Sequence, residues 1–253
     1  MPFVDRDGVA VSYETHGQVS SRTPLLLSHG YSASSAMWRP NLAALSADRL
    51  VITWDVRGHG QSASPTDPSQ YSQAASVADM AAVLDACSVE RAVVGGLSLG
   101  GYLSLAFYLG HRERTTALLL FDTGPGYKQD EARERWNRWA EARAVAFEAE
   151  GVSALSESPE VGTGSQDPTG LALAARGILM QHDAEVINSL PQIDVPTLVL
   201  VGSEDAPFRA AADYMAAKIP KATKIVLDDA GHASNIDQPS AFNDAVTTFL
   251  EGL

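Results

Sequence analysis

Cysteine is almost absent: Cys87 is the only one in 253 residues, so no intrachain disulfide and no cysteine-based metal cluster can form. Its setting, Val83-Leu84-Asp85-Ala86-Cys87, reads as a buried helix face that packs the thiol. Basic residues are also short, with 18 Lys and Arg against 31 Asp and Glu, a net charge of −13. That balance argues against nucleic-acid binding and against docking on an anionic membrane. No apolar run approaches the roughly 20 residues that span a bilayer. The start, Met1-Pro2-Phe3-Val4-Asp5-Arg6-Asp7-Gly8, lacks an apolar signal core, so cytoplasm is the expected compartment. The chain length suits one large α/β domain or two small ones, and a 45 % hydrophobic fraction suits an ordinary globular core.

What is present is a regular alternation. Phe3-Val4 and Val9 to Tyr13 flank Asp5-Arg6-Asp7-Gly8, which predicts a hairpin. Short apolar runs follow at Leu25–Leu27, Leu50–Trp54, Ala92–Val94, Ala117–Phe121, Thr197–Val201 and Thr223–Leu227. These runs do not alternate with polar residues, so they predict strands buried on both faces of a parallel sheet. Helix-like segments separate them: Met37–Ala47, Val77–Cys87, Ser98–Leu109, Ala210–Ile219 and Pro239–Leu250. The fold class is therefore α/β, a doubly wound, mostly parallel sheet that binds ligands at the carboxyl ends of its strands.

The alternation breaks after the strand ending near Phe121. Asp130 to Glu150 predicts a long charged helix stopped by Gly151, with Trp136 and Trp139 three residues apart. Ser153 to Gly170 reads as loops, and Leu171–Met180 and Ala184–Leu190 as shorter helices. The division expected is a core of residues 1–123 and 191–253 with a helical lid over 124–190. Trp136, Met180 and Phe208 either line a substrate pocket or hold the lid down, and Tyr31 and Trp38 either wall that pocket or belong to the core. Arg176 either clamps an anionic group or lies at the surface.

The chemistry centres on Val93-Val94-Gly95-Gly96-Leu97-Ser98-Leu99-Gly100-Gly101. A buried strand meets Gly-Xaa-Ser-Xaa-Gly and turns at once into a helix, which places Ser98 at a sharp apex. A serine hydroxyl needs a base, and the base needs an acid that fixes its tautomer. His232, in Ala230-Gly231-His232-Ala233, follows the last strand run and is the candidate base. Asp205, after the strand ending at Val201, is the preferred acid, and Asp122, after Phe121, is the alternative. The amides of Leu99, at a helix N-terminus, and Tyr31, after His29-Gly30, are candidate oxyanion donors. His29 and His59 are expected to hold loops, with Asp55 and Arg57 pairing in Asp55-Val56-Arg57-Gly58-His59-Gly60-Gln61-Ser62.

Taken together, His29-Gly30-Tyr31, the stretch from Asp55 to Ser62, Gly96-Leu97-Ser98-Leu99-Gly100-Gly101, Asp205 and Gly231-His232 resemble the α/β-hydrolase superfamily. The resemblance runs from about Val9 to the C-terminus apart from the lid. Within it, Gly231 to Pro239 with Phe242-Asn243 looks like the branch of small carboxylesterases and enol-lactonases. The resemblance implies Ser98 as nucleophile, His232 as general base and then acid, Asp205 as its orienter, and the Tyr31 and Leu99 amides as the oxyanion hole. It implies a small ester or lactone and water as the reacting partners, with neither metal nor organic cofactor needed. Relatives that break carbon–halogen bonds or epoxides place aspartate where this chain has Ser98. Two other expectations stay open: cleavage of a carbon–carbon bond in a vinylogous diketone by the same triad, and a ligand receptor on a hydrolase scaffold.

Overall fold

The computed structural model describes residues 2–155, 160–161 and 167–253. Strands β1 (Phe3–Arg6) and β2 (Val9–His16) pair antiparallel. Asp7 and Gly8 join them, both at positive φ, 55° and 83°, as a two-residue turn between right-twisted strands requires. Strands β3 (Leu25–Ser28), β4 (Val51–Trp54), β5 (Ala92–Leu97), β6 (Thr115–Phe121), β7 (Thr197–Gly202) and β8 (Ala222–Leu227) run parallel to one another. The eight strands lie in the order β1-β2-β4-β3-β5-β6-β7-β8, so β5 is central. Among the described residues, the core alternation and the insertion contain α1 (Arg39–Leu45), α2 (Gln73–Ala86), α3 (Leu99–Gly110), α4 (Asp130–Glu150), α5 (Pro168–Ala174), α6 (Glu185–Ser189) and α7 (Ala206–Lys218). Two more, α8 (Ser234–Asp237) and α9 (Pro239–Glu251), close the chain.

The sheet is buried on both faces. Leu26, Ile52, Val94, Leu118 and Val199 pack on α2 and α3, while Leu25, Leu27, Val51, Val93, Leu119 and Leu198 face α1 and α9. This explains the unbroken apolar runs: each strand side chain meets a hydrophobic layer whichever way it points. The edge strand β8 departs from that pattern, with only Leu227 buried. Trp38 is fully buried on the α9 side, with its ring 6.0 Å from Phe121 and 6.3 Å from Phe242. It belongs to the core and not to a pocket wall, because the chain enters α1 through a short 3₁₀ turn, Ser35–Trp38, that carries the indole beneath the sheet.

Between β6 and β7 the chain forms α4, a 3₁₀ turn, α5, a π turn at Ala175–Leu179 and α6. Ala144, Phe147, Leu171, Ala172 and Ala175 give these helices a small core of their own. Helix α4 spans Asp130–Glu150 and ends at Gly151, whose φ of 63° ends the helical path. Much of the loop expected between Ser153 and Gly170, at 156–159 and 162–166, lies outside the described residues. No described helix is long and apolar enough to cross a membrane.

Candidate active site

Ser98 sits between β5 and α3 with φ 55° and ψ −116°, a backbone conformation that side-chain-bearing residues seldom adopt. Its amide donates to the Phe121 carbonyl at 2.9 Å, and its carbonyl accepts from the Thr123 hydroxyl at 2.5 Å, so the end of β6 holds the strained turn in place. A β-carbon on Gly96 would lie 2.5 Å from the Ser28 carbonyl oxygen, and one on Gly100 2.2 Å from it. Only glycine lets β3, β5 and α3 converge this closely. The Ser98 hydroxyl makes no hydrogen bond among the described residues and lines a cavity of about 360 Å³.

The loop after β3 abuts this turn: a β-carbon on Gly30 would stand 3.5 Å from Ser98 Cβ. The Tyr31 amide donates to no group among the described residues, and Leu99 opens α3, where an amide has no intrahelical acceptor. Two unspent donors therefore flank Ser98. The Tyr31 ring does not line the cavity. Its hydroxyl donates to the Leu171 carbonyl at 2.8 Å, which ties the loop to α5. His29, fully buried, fixes the loop from below: its Nε2 accepts from the Val56 amide at 2.9 Å, so its proton resides on Nδ1, 2.7 Å from the Gly30 carbonyl. Burial lowers the pKa of His29 and pushes that of His59 down to about 3, keeping both rings neutral. The expected Asp55–Arg57 pair does not form. Asp55 accepts from the amides of Ser35 at 2.7 Å and Gln61 at 2.9 Å, whereas Arg57 makes a two-pronged pair with the buried Asp79.

His232 lies on the loop between β8 and α8, and its Nδ1 is 2.8 Å from Asp205 Oδ2. Asp205 is the residue before α7 and is only 4 % exposed. Burial works against a charged His232, but the Asp205 hydrogen bond and charge outweigh it, with Asp122 and Glu160 adding to the effect, and hold its pKa above the ordinary value. Phe208 stacks on the imidazole with centroids 4.8 Å apart and also lines the cavity. Asp122 points elsewhere: it accepts from the Gly202 amide at 2.8 Å and from the Ser234 hydroxyl, bracing β7 and the His232 loop. Burial pushes its pKa up to about 7.

The cavity brings Ser98 and Leu99 together with Trp136 of α4, Gln181, Ile187 of α6 and Phe208 of α7. Met180 is not among its lining residues, although Leu179 and Gln181 are. The backbone at Met180 is extended, with ψ 149°, so its neighbours face one side and Met180 the other, against the core. Arg176 does not reach the cavity either: its guanidinium is engaged by Glu141, at 2.8 Å, and by Glu148. Gln181 and Ile187 were not expected from the sequence. Gln181 stands where the apolar run Ile178-Leu179-Met180 gives way to Gln181-His182-Asp183, so no local pattern marks it as a cavity residue.

Residues 25–245 match the model of the alpha/beta hydrolase family. The chain is 28 % identical to 3-oxoadipate enol-lactonase 2 of Acinetobacter baylyi over 96 % of its own length and 94 % of that protein's. Among solved structures, it superimposes on the enol-lactonase from Burkholderia xenovorans with a TM-score of 0.81 and 28 % identity, covering 99 % of this chain and 100 % of that one. An esterase from Thermogutta terrifontis gives a TM-score of 0.81 and 29 % identity, covering 99 % and 96 %. With the sheet order, the Ser98 turn and a matched stretch that takes in most of the chain, the protein belongs to the alpha/beta hydrolase family.

Proposed function

We propose that the protein is a serine hydrolase that cleaves a small carboxylic ester or lactone through an acyl-enzyme on Ser98. The observation that carries this reading is the 2.8 Å bond between His232 and a buried Asp205, with His232 stacked on Phe208, which lines the same cavity as Ser98. Asp205 accepts a hydrogen bond from Nδ1–H of His232, which keeps the proton on Nδ1 and leaves Nε2 free as a base. His232 takes the Ser98 proton as Oγ attacks the carbonyl carbon. The Tyr31 and Leu99 amides receive the oxyanion, and being set in place beforehand they cost no reorganisation. As the tetrahedral intermediate collapses, His232 returns the proton to the leaving oxygen. Water, deprotonated by the same imidazole, then releases the carboxylic acid and restores Ser98.

In this reading residues 124–190 act as a lid, supplying Trp136, Gln181 and Ile187 to the cavity that the core opens at Ser98. The enol-lactonase and esterase names of the relatives agree with ester or lactone hydrolysis. Replacing Ser98 with Ala is expected to abolish turnover of a p-nitrophenyl ester while leaving the thermal transition in place. Undiminished turnover by the variant would refute the proposal.

A further inference from the structure

Among the described residues, no charged side chain lines the cavity. None of its lining residues is Asp, Glu, Lys, Arg or His, and its surface is mainly aliphatic and aromatic. Arg176 is held outside by Glu141 and Glu148, and Arg143 donates to the Ala154 carbonyl. Residues 156–159 and 162–166 contain no lysine or arginine in their sequence. Lys128 and Lys218 are exposed and are not lining residues; each lies over the ring of the lining residue Tyr214, 5.8 and 5.9 Å from its centre. A carboxylate drawn into this space would lose its hydration without gaining a partner, which is strongly unfavourable.

Polar side chains nonetheless line the cavity, Ser98 and Gln181 among them. Gln181 is 7 % exposed, and its backbone is fixed by Asn137, whose side chain accepts from the Gln181 amide at 2.9 Å and donates to its carbonyl at 2.8 Å. Its side-chain amide makes no hydrogen bond among the described residues: Oε1 is buried against Gly126, which leaves Nε2 as the accessible donor. Of the other polar side chains around the cavity, the Tyr102 hydroxyl donates to Gln73, the Trp136 indole to the Leu179 carbonyl and the Thr123 hydroxyl to the Ser98 carbonyl, while the Tyr127 and Tyr214 hydroxyls make no hydrogen bond among the described residues. A largely buried amide with an unspent donor is uncommon in a folded protein unless something else pairs with it.

We propose that the substrate is an uncharged ester or lactone with an aromatic or other apolar body, carrying one neutral hydrogen-bonding group that pairs with Gln181. This assignment rests on the hydrolase reading above and names its substrate class. Gln181 would act as a specificity residue: its Nε2 can donate to a hydroxyl or carbonyl oxygen without charge on either partner. The absence of a cation in the cavity sets the chain apart from what a carboxylate-bearing substrate would need.

The test uses the Ser98→Ala protein and calorimetric titration with three methyl esters: that of phenylbutyric acid, its para-hydroxy derivative and its para-carboxy derivative. The expected order is para-hydroxy tightest, by roughly fivefold over the parent, the scale of one neutral hydrogen bond. The para-carboxy ester should bind at least about 50-fold more weakly than the parent, as an unpaired buried charge requires. Adding Gln181→Leu should remove the preference for the para-hydroxy ester over the parent. The inference is overturned if the para-carboxy ester binds as well as the parent, if none of the three binds, or if Gln181→Leu weakens all three alike. Wild-type turnover of the parent ester, measured in parallel, reports on the hydrolase reading separately. Binding without turnover would count against Ser98 chemistry and not against the pocket assignment.

Discussion

Asp205→Asn is the most informative single substitution. Asp205 and Asn are nearly isosteric, and the position is almost fully buried, so the change alters charge and hydrogen-bond direction more than shape. In the native protein the carboxylate can only accept from His232 Nδ1 across 2.8 Å, which forces Nε2 to be the basic nitrogen. An asparagine amide can donate to Nδ1 instead, and the imidazole then carries its proton on Nε2, where it cannot take one from Ser98. Neutralising the orienting acid of a serine triad costs about 10⁴ in kcat, or roughly 5 kcal/mol of transition-state stabilisation. A second effect has a definite sign. Burial lowers the His232 pKa and Asp205 is the leading group that raises it, so the acid limb of the rate profile should move to lower pH in the variant. The assay is burst kinetics with p-nitrophenyl acetate from pH 5.5 to 9, with circular dichroism as the control for folding. A variant within tenfold of wild type at every pH, with its acid limb unmoved, would refute the assignment, and a collapse in Asp122→Asn instead would transfer the role to Asp122.

Further outcomes follow from neighbouring groups. Asp122 is expected to make stability fall as pH rises through about 7, because its folded-state pKa lies above the ordinary carboxylate value. Its contribution is complete below about pH 4 and lost above 7, of order 4 kcal/mol if the whole shift is expressed. Asp122→Asn should flatten urea midpoints across that window, and an unchanged slope would contradict it. Gly100→Ala should destabilise by about 3 kcal/mol or more, since the new methyl meets the Ser28 carbonyl, which as backbone cannot move aside; denaturant titration measures it. In wild type the acid limb of kcat/KM should have its midpoint above about 6.5, because His232 must be neutral to act as base and its pKa is raised. A midpoint well below that would show that His232 does not carry the limb.

Much of this architecture was legible in the sequence, for reasons that differ by element. Leu25–Leu27 and Ala117–Phe121 announce themselves because both sheet faces are covered, so no polar residue interrupts them. Helix α4 is legible at its end because Gly151 takes a positive φ that few other residues accept. The loop from Asp55 to Ser62 was read with the wrong pairing. Its density of charge was plain, but Asp79, the true partner of Arg57, arrives from α2 through tertiary contact that local sequence does not encode. The pocket was the least legible part. Trp136 and Phe208 do line it, whereas Trp38 is carried under the sheet by a 3₁₀ turn with no strong sequence signature. Met180, expected at the pocket, is absent from its lining and Gln181, for which there was no expectation, is present, because the π turn before them ends in extended backbone, where adjacent side chains face opposite ways.

The central claim is that Ser98 is a nucleophile activated by His232. Labelling the native protein with a fluorophosphonate probe, followed by peptide mapping, tests it most directly. The account predicts a single adduct on Ser98, lost in Ser98→Ala and strongly slowed in His232→Ala. No adduct, or one on another serine that persists in Ser98→Ala, would contradict it.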